Sequence, residues 1–162
     1  MNEFSLSITP KENELVFIAN TDVLPAPQVG GFMLYLQNTA ETRIVINKLM
    51  VSVGEYGGVV QWFKNVTVDE MADAELHPPV DLNGDADVAS ACYKWDGMNN
   101  GIAGISDGVL VKPLFAAEGY TEINIKSTLG LFDNLALHFV PVVGDTLFEC
   151  GVLFSQEMID GQ

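Results

Sequence analysis

Apolar residues in this chain recur at every second position, in short segments, and almost nowhere at the three-to-four spacing of a helix. Phe4, Leu6 and Ile8 alternate with Ser5, Ser7 and Thr9. Thr121, Ile123 and Ile125 alternate with Glu122, Asn124 and Lys126, and Leu135, Leu137 and Phe139 with Ala136 and His138. Successive side chains of a strand point to opposite faces of a sheet, so this period belongs to half-buried β-strands. Val59 to Val68 reads as one strand, with Val60, Trp62, Lys64, Val66 and Val68 on a common face. Further strands are expected at Leu15 to Ile18, Phe32 to Leu36, Arg43 to Val53, Asp87 to Trp95 and Thr146 to Ser155. Another runs from Val109 to Phe115, where Pro113 marks an edge or a bulge.

Turn residues punctuate these segments. Gly54-Glu55-Tyr56-Gly57-Gly58, Asp81-Leu82-Asn83-Gly84-Asp85 and Pro141 to Asp145 are turns, and Asn20 to Gly31 and Asp96 to Gly108 are long loops. One short helix is expected from Asp69 to Leu76, capped by Asp69 and stopped by Pro78-Pro79. About nine or ten strands with at most one or two short helices predict an all-β fold, an antiparallel β-sandwich of jelly-roll kind. The 162 residues fit a single domain, 1–162, with 1–13 as an N-terminal arm or edge strand and 156–162 as a tail. The expected core is Val60, Trp62, Ile123, Ile125, Leu135, Leu137, Phe139, Val152 and Phe154.

Charge removes several functional classes. Twenty-two acidic residues against seven Lys and Arg leave a net charge of −15, which opposes both nucleic acid and anionic membranes as partners. Arg43 is the one arginine, so no arginine clamp for phosphate can be built. The longest apolar runs fall far short of the ~20 residues of a spanning helix. Met1 to Leu6 lacks the basic and apolar regions of a secretory signal. Cys92 and Cys150 have no paired spacing; two buried free thiols are expected, with one cross-sheet disulfide as the alternative.

The residues that carry chemistry are sparse. His77 and His138 are the only histidines, no Gly-x-Ser-x-Gly elbow is present, and both are read as solvated or locally satisfied side chains. No catalytic residue is assigned and the chain is expected not to be an enzyme. Asp81 to Asp87 begins like a calcium loop, but the sixth position is Ala86 where glycine makes the turn, and the twelfth is Cys92 where a carboxylate should bind. It is read as a turn, with no metal and no cofactor. Trp62, Phe63, Tyr93 and Trp95 could stack on sugars, but strand aromatics more often fill the core. Gly97, Gly101, Gly104 and Gly108 lack the order, helix and lysine of a phosphate cradle.

The run of strands to Val80-Asp81-Leu82-Asn83-Gly84-Asp85, the Ala-rich strand after it, and the ending resemble small structural proteins of tailed bacteriophages. That ending runs from Leu135 through Pro141-Val142-Val143-Gly144-Asp145 to Val152-Leu153-Phe154-Ser155. These are capsid cement (decoration) proteins, head fibres and related virion appendages. The resemblance implies a jelly roll that forms a homotrimer at three-fold positions on the capsid exterior and clamps the major capsid protein. It carries over no functional residue. Two other readings stand beside it: a carbohydrate- or receptor-binding sandwich using Trp62 or Trp95 and the Gly-rich loop, and a jelly-roll enzyme.

Overall fold

A computed structural model describes residues 14–82 and 90–157. These residues form strands and turns, with no helix among them. The strands are β1 (Glu14–Asn20), β2 (Leu24–Pro25), β3 (Gly31–Asn38), β4 (Ile44–Val53), β5 (Gly58–Lys64), β6 (Thr67–Ala72), β7 (Ala74–Leu76), β8 (Val80–Asp81), β9 (Ser90–Trp95), β10 (Ala103–Ser106), β11 (Val109–Ala116), β12 (Gly119–Leu129), β13 (Asn134–Pro141) and β14 (Leu147–Glu157).

Sheet pairing is nested like a rolled hairpin. β1 pairs with β14, β3 with β13, β4 with β12 and β5 with β11, all antiparallel. One sheet has the order β12-β4-β14-β1-β8, with β2 on β14; the other has the order β11-β5-β13-β3-β9-β7. Eight of these strands, β1, β3, β4, β5, β11, β12, β13 and β14, make the two interleaved Greek keys of a jelly roll. The segment between β5 and β11 is an insertion at the tip of that roll.

The core lies between the two sheets. Phe17, Leu49, Val152 and Phe154 come from the first sheet and Leu34, Leu36, Trp62 and Phe139 from the second. Phe17 stacks on Phe154 and Phe139 on Phe148, at ring-centre distances of 5.4 and 4.2 Å. All nine residues expected in the core are buried. Alternation along β4 breaks midway. Ile44 and Ile46 face inward, then Leu49, Val51 and Val53, because the pairing with β12 and with β14 skips Asn47. Such a bulge shifts the inward parity by one residue.

Asn38 closes the end of the roll. Its buried side chain donates to the Thr42 and Leu129 carbonyls at 2.8 and 2.9 Å and accepts from Ala40 N–H at 3.0 Å. On the outer face of the first sheet, Val16, Met50 and Leu153 form a small buried cluster. The expected strand Phe4 to Ile8 and the arm 1–13 lie outside the described residues, as do Asn83 to Ala89 and the tail beyond 157.

Two expectations need correction. Residues 69–76 are not helical: they belong to β6 and β7, with Asp73 at φ of 58° between the two strands and Glu70 at φ of 50° inside β6. Acidic composition and the following prolines imitate a capped helix, but the segment has no apolar face to bury at helical spacing, and strand pairing decides instead. The strand read as Val59 to Val68 ends at Lys64. Asn65 takes φ of 57°, a conformation asparagine tolerates, and turns the chain out of the sheet.

Candidate functional site

The insertion, residues 65–108, carries nine of the chain's 22 acidic residues and one of its seven basic ones. Its departure from β5 is fixed by one buried side chain. Asn134 Oδ1 accepts from Val66 N–H at 2.8 Å, and its Nδ2 donates to the Val66 carbonyl at 3.0 Å. Asn65 reciprocates by accepting from Asn134 N–H at 3.1 Å through its side chain. The chain therefore leaves the end of β5 and doubles back over the outer face of the second sheet.

There β6 and β10 form a separate two-stranded sheet with a bulge at Gly104. Gly104 has φ of 85°, and a Cβ there would sit 2.3 Å from the Asp69 carbonyl, so only glycine lets the two strands pair. Underneath lies an apolar layer of Tyr35, Val66 and Ala136, flanked by Phe32, Phe63, Met71, Tyr93 and Ile105. The insertion then adds β8 to the β1 edge of the first sheet, and β9 and β7 to the β3 edge of the second. Its only lysine, Lys94, ties it to the frame: Nζ lies 2.9 Å from Asp22 and 4.0 Å from Glu75.

Between the small sheet and the outer face runs an open groove of about 440 Å³, lined by Tyr35, Gln37, Val68, Met71, Ala91 and Tyr93 among others. The tyrosine rings are 6.4 Å apart and tilted by 43°. Burial raises the Tyr35 phenol above its ordinary 10.0, against the hydrogen bond from Asn134, so it is a neutral donor. An uncharged lining of phenol, amide and thioether suits a neutral, partly apolar ligand and offers no nucleophile. A second cleft, at the β4–β5 end of the roll, is lined by Glu55, Tyr56, Glu118, Asp145 and Leu147.

The residues singled out from sequence do not converge. Trp62 and Trp95 are 4% and 5% exposed, so neither presents a ring face to a sugar. Trp95 Nε1 donates to the Met98 carbonyl at 2.7 Å, and Trp62 Nε1 is buried with no partner. Phe63 lies in the apolar layer and Tyr93 in the groove. His77 Nε2 lies 3.5 Å from Asn20 Oδ1; burial, then the Lys94 charge, lower its pKa.

His138 is half-buried, and one of its ring nitrogens is unsatisfied. It packs edge-on to Phe32 at 4.8 Å, its Nδ1 is buried without a partner, and burial lowers its pKa. Alternation does send it to the outer face, but the insertion's apolar layer makes that face partly dry. Cys92 and Cys150 are buried free thiols in the core; burial pushes Cys92 up to about 12 and raises Cys150 as well. Neither is a reactive thiolate at neutral pH.

Asp81 and Leu82 are described, but the rest of the expected loop, Asn83 to Asp87, lies outside the described residues. Among the described residues no three His, Cys, Asp or Glu side chains are grouped to hold a metal ion. The Gly97, Gly101, Gly104 and Gly108 stretch has all four glycines at positive φ, with Gly101 packed against the backbone of Gly31 and Phe32.

Sequence reasoning missed the groove. Tyr35 sits in a segment, Phe32 to Leu36, read only as an apolar strand, and Gln37 lies just past its expected end, although β3 runs on to Asn38. The available signal was two polar groups at alternate positions of that strand, which implies a second, less apolar face.

Comparison with known proteins gave no match to any family model, to any curated protein or to any solved structure.

Proposed function

We propose that this chain is a non-catalytic structural protein of the virion, a capsid cement protein. In this reading it forms a homotrimer on the outside of a tailed-phage head and stabilises the shell by binding the major capsid protein. The observation that carries the reading is an apolar surface left outside the core. Val109, Leu110, Val111 and Phe115 line the outermost strand of a sheet and are all exposed. Contiguous apolar surface of this kind marks contacts between macromolecules. The net charge of −15 repels packaged nucleic acid, which suits an outer position.

The test is reconstitution. Heads prepared without this chain should lose heat stability and regain it when the purified chain is added back. Heads equally stable with and without it would sink the cement role. Attachment through apolar strands should survive high ionic strength, whereas attachment led by charge should weaken as salt screens it over about 8 Å or less.

The Tyr35–Tyr93 groove favours a second reading, a glycan- or receptor-binding module. Glycan-array binding that disappears in Tyr93→Ala would select it over the first.

A further inference from the structure

The two long edges of the sandwich are unlike each other, and the difference is complementary. One edge is formed by β11 with β5 and by β12 with β4, joined across the sandwich by the short link at residues 117–118 and by Lys64 Nζ donating to the Thr128 carbonyl at 2.8 Å. Five of the six basic residues in the described part of the chain lie on these strands or immediately before them, Arg43, Lys48, Lys64, Lys112 and Lys126, against two carboxylates, Glu118 in the link and Glu122, which pairs with Lys48 at 3.2 Å. Among them stand exposed apolar side chains, Val109 at 67% and Phe115 at 58%.

The opposite edge is built by the insertion, from β7 on one sheet and β8 on the other. It too exposes apolar side chains, Leu76 at 60% and Val80 at 53%. Here the neighbours are Asp22, Asp73, Glu75 and Asp96, with Lys94 as the one cation. Each edge thus joins an apolar strip to charge: five cations against Glu118 and Glu122 leave one edge net positive, and four carboxylates against Lys94 leave the other net negative.

We infer that copies of this chain associate head to tail, the β11–β12 edge of one against the β7–β8 edge of the next. Both apolar strips are covered in such a contact, and the positive edge meets the negative one. An edge placed against its own equivalent would instead oppose like charges. Pro113 and the bulge after Leu110 deny β11 the regular ladder that a continuous intermolecular sheet requires, so the contact is made by side chains. A head-to-tail contact joins two different patches and closes into a ring when its rotation permits. The inference deepens the assembly reading above and rests on it for its biological purpose, but not for its geometry.

Its test uses the asymmetry. Phe115→Asp damages only the first edge and Leu76→Lys only the second. Light scattering at about 100 µM, above the micromolar Kd of a modest interface, should give the wild-type chain a mass at least twice its 17.6 kDa. Each variant alone should fall to the single-chain mass. An equimolar mixture of the two should return to the mass of two chains and go no higher, because each partner supplies the edge the other lacks. Near-ultraviolet circular dichroism confirms folding, and Val109→Asp and Val80→Lys replace any variant that fails it.

A wild-type chain that stays single, variants that stay assembled, or a mixture that does not pair would each overturn the inference. Head binding is read separately by co-sedimentation. A wild-type chain that self-associates but does not sediment with heads removes the cement role and leaves the edge contact intact.

Discussion

Strands β13 and β11 belong to one sheet, have the same length and are about equally apolar, yet they meet opposite fates. β13, Asn-Leu-Ala-Leu-His-Phe-Val-Pro, lies between β5 and β3 and buries nearly every side chain. β11, Val-Leu-Val-Lys-Pro-Leu-Phe-Ala, lies outside β5, and of its described side chains only that of Ala116 is buried. Apolar content alone therefore did not set burial here. Place in the strand order did, and a strand that stays apolar at an edge has its surface available for something other than its own core.

The contrast breaks most visibly if a central residue proves dispensable. Phe139→Ala should cost about 3–5 kcal/mol and Leu137→Ala about 2–5, read from denaturant midpoints at unchanged m-value. Asn134→Ala should cost about 1–3 kcal/mol, because it strands the Val66 amide and carbonyl. Faster hydrogen exchange at Val66 and along β6 than in β13 would localise that loss to the insertion.

His138 sharpens the comparison through pH. Its folded pKa lies below the ordinary 6.5, so as pH falls from 6.5 towards the depressed value the unfolded chain binds a proton that the folded chain does not. Stability is full above 6.5 and declines across that window. His77, also lowered, adds to the decline, so His138→Gln should flatten the acid limb in part. An acid limb unchanged in this variant would place His138 in water. The smallest effect belongs to the edge: Phe115→Ala, in dilute solution where copies stand apart, should change stability by no more than about 0.5 kcal/mol. A loss equal to that of Phe139→Ala would erase the distinction between the two strands.

Legibility in the sequence followed the same division. Period-two alternation located β12, β13 and β14 and all nine core residues, because burial on one face writes itself into every second position. Pro113 marked β11 as an edge or a bulged strand, and it is both. Asn47 was invisible: a bulge shifts parity without a distinctive residue, so β4 looked like two apolar clusters. The insertion was the least legible part. Its residues 69–76 read as a capped helix because acidic, proline-flanked composition is a local signal, whereas β6 and β7 exist only through pairing with β10 and β9. Nor could spacing show that Tyr35 and Tyr93, far apart in the chain, share a groove, or that Asn134 sets where the insertion turns.

The nested pairing of the roll also dictates an order of events during synthesis. Glu14 ends up opposite Glu157, so β1 waits for nearly the whole chain before β14, its long partner, exists, although short β8 reaches its other edge sooner. β3 waits for β13 in the same way. Early in translation β1 and β3 can pair only along one edge, with β8 and β9, and β11, β12, β13 and β14, arriving in turn, zip the halves of the roll together from its tip outward. Closure of such distant contacts is slow, and the nascent chain is open to wrong partners throughout. A surplus of negative charge in the tip segment, already emerged by then, keeps neighbouring nascent chains apart while the last strands are made.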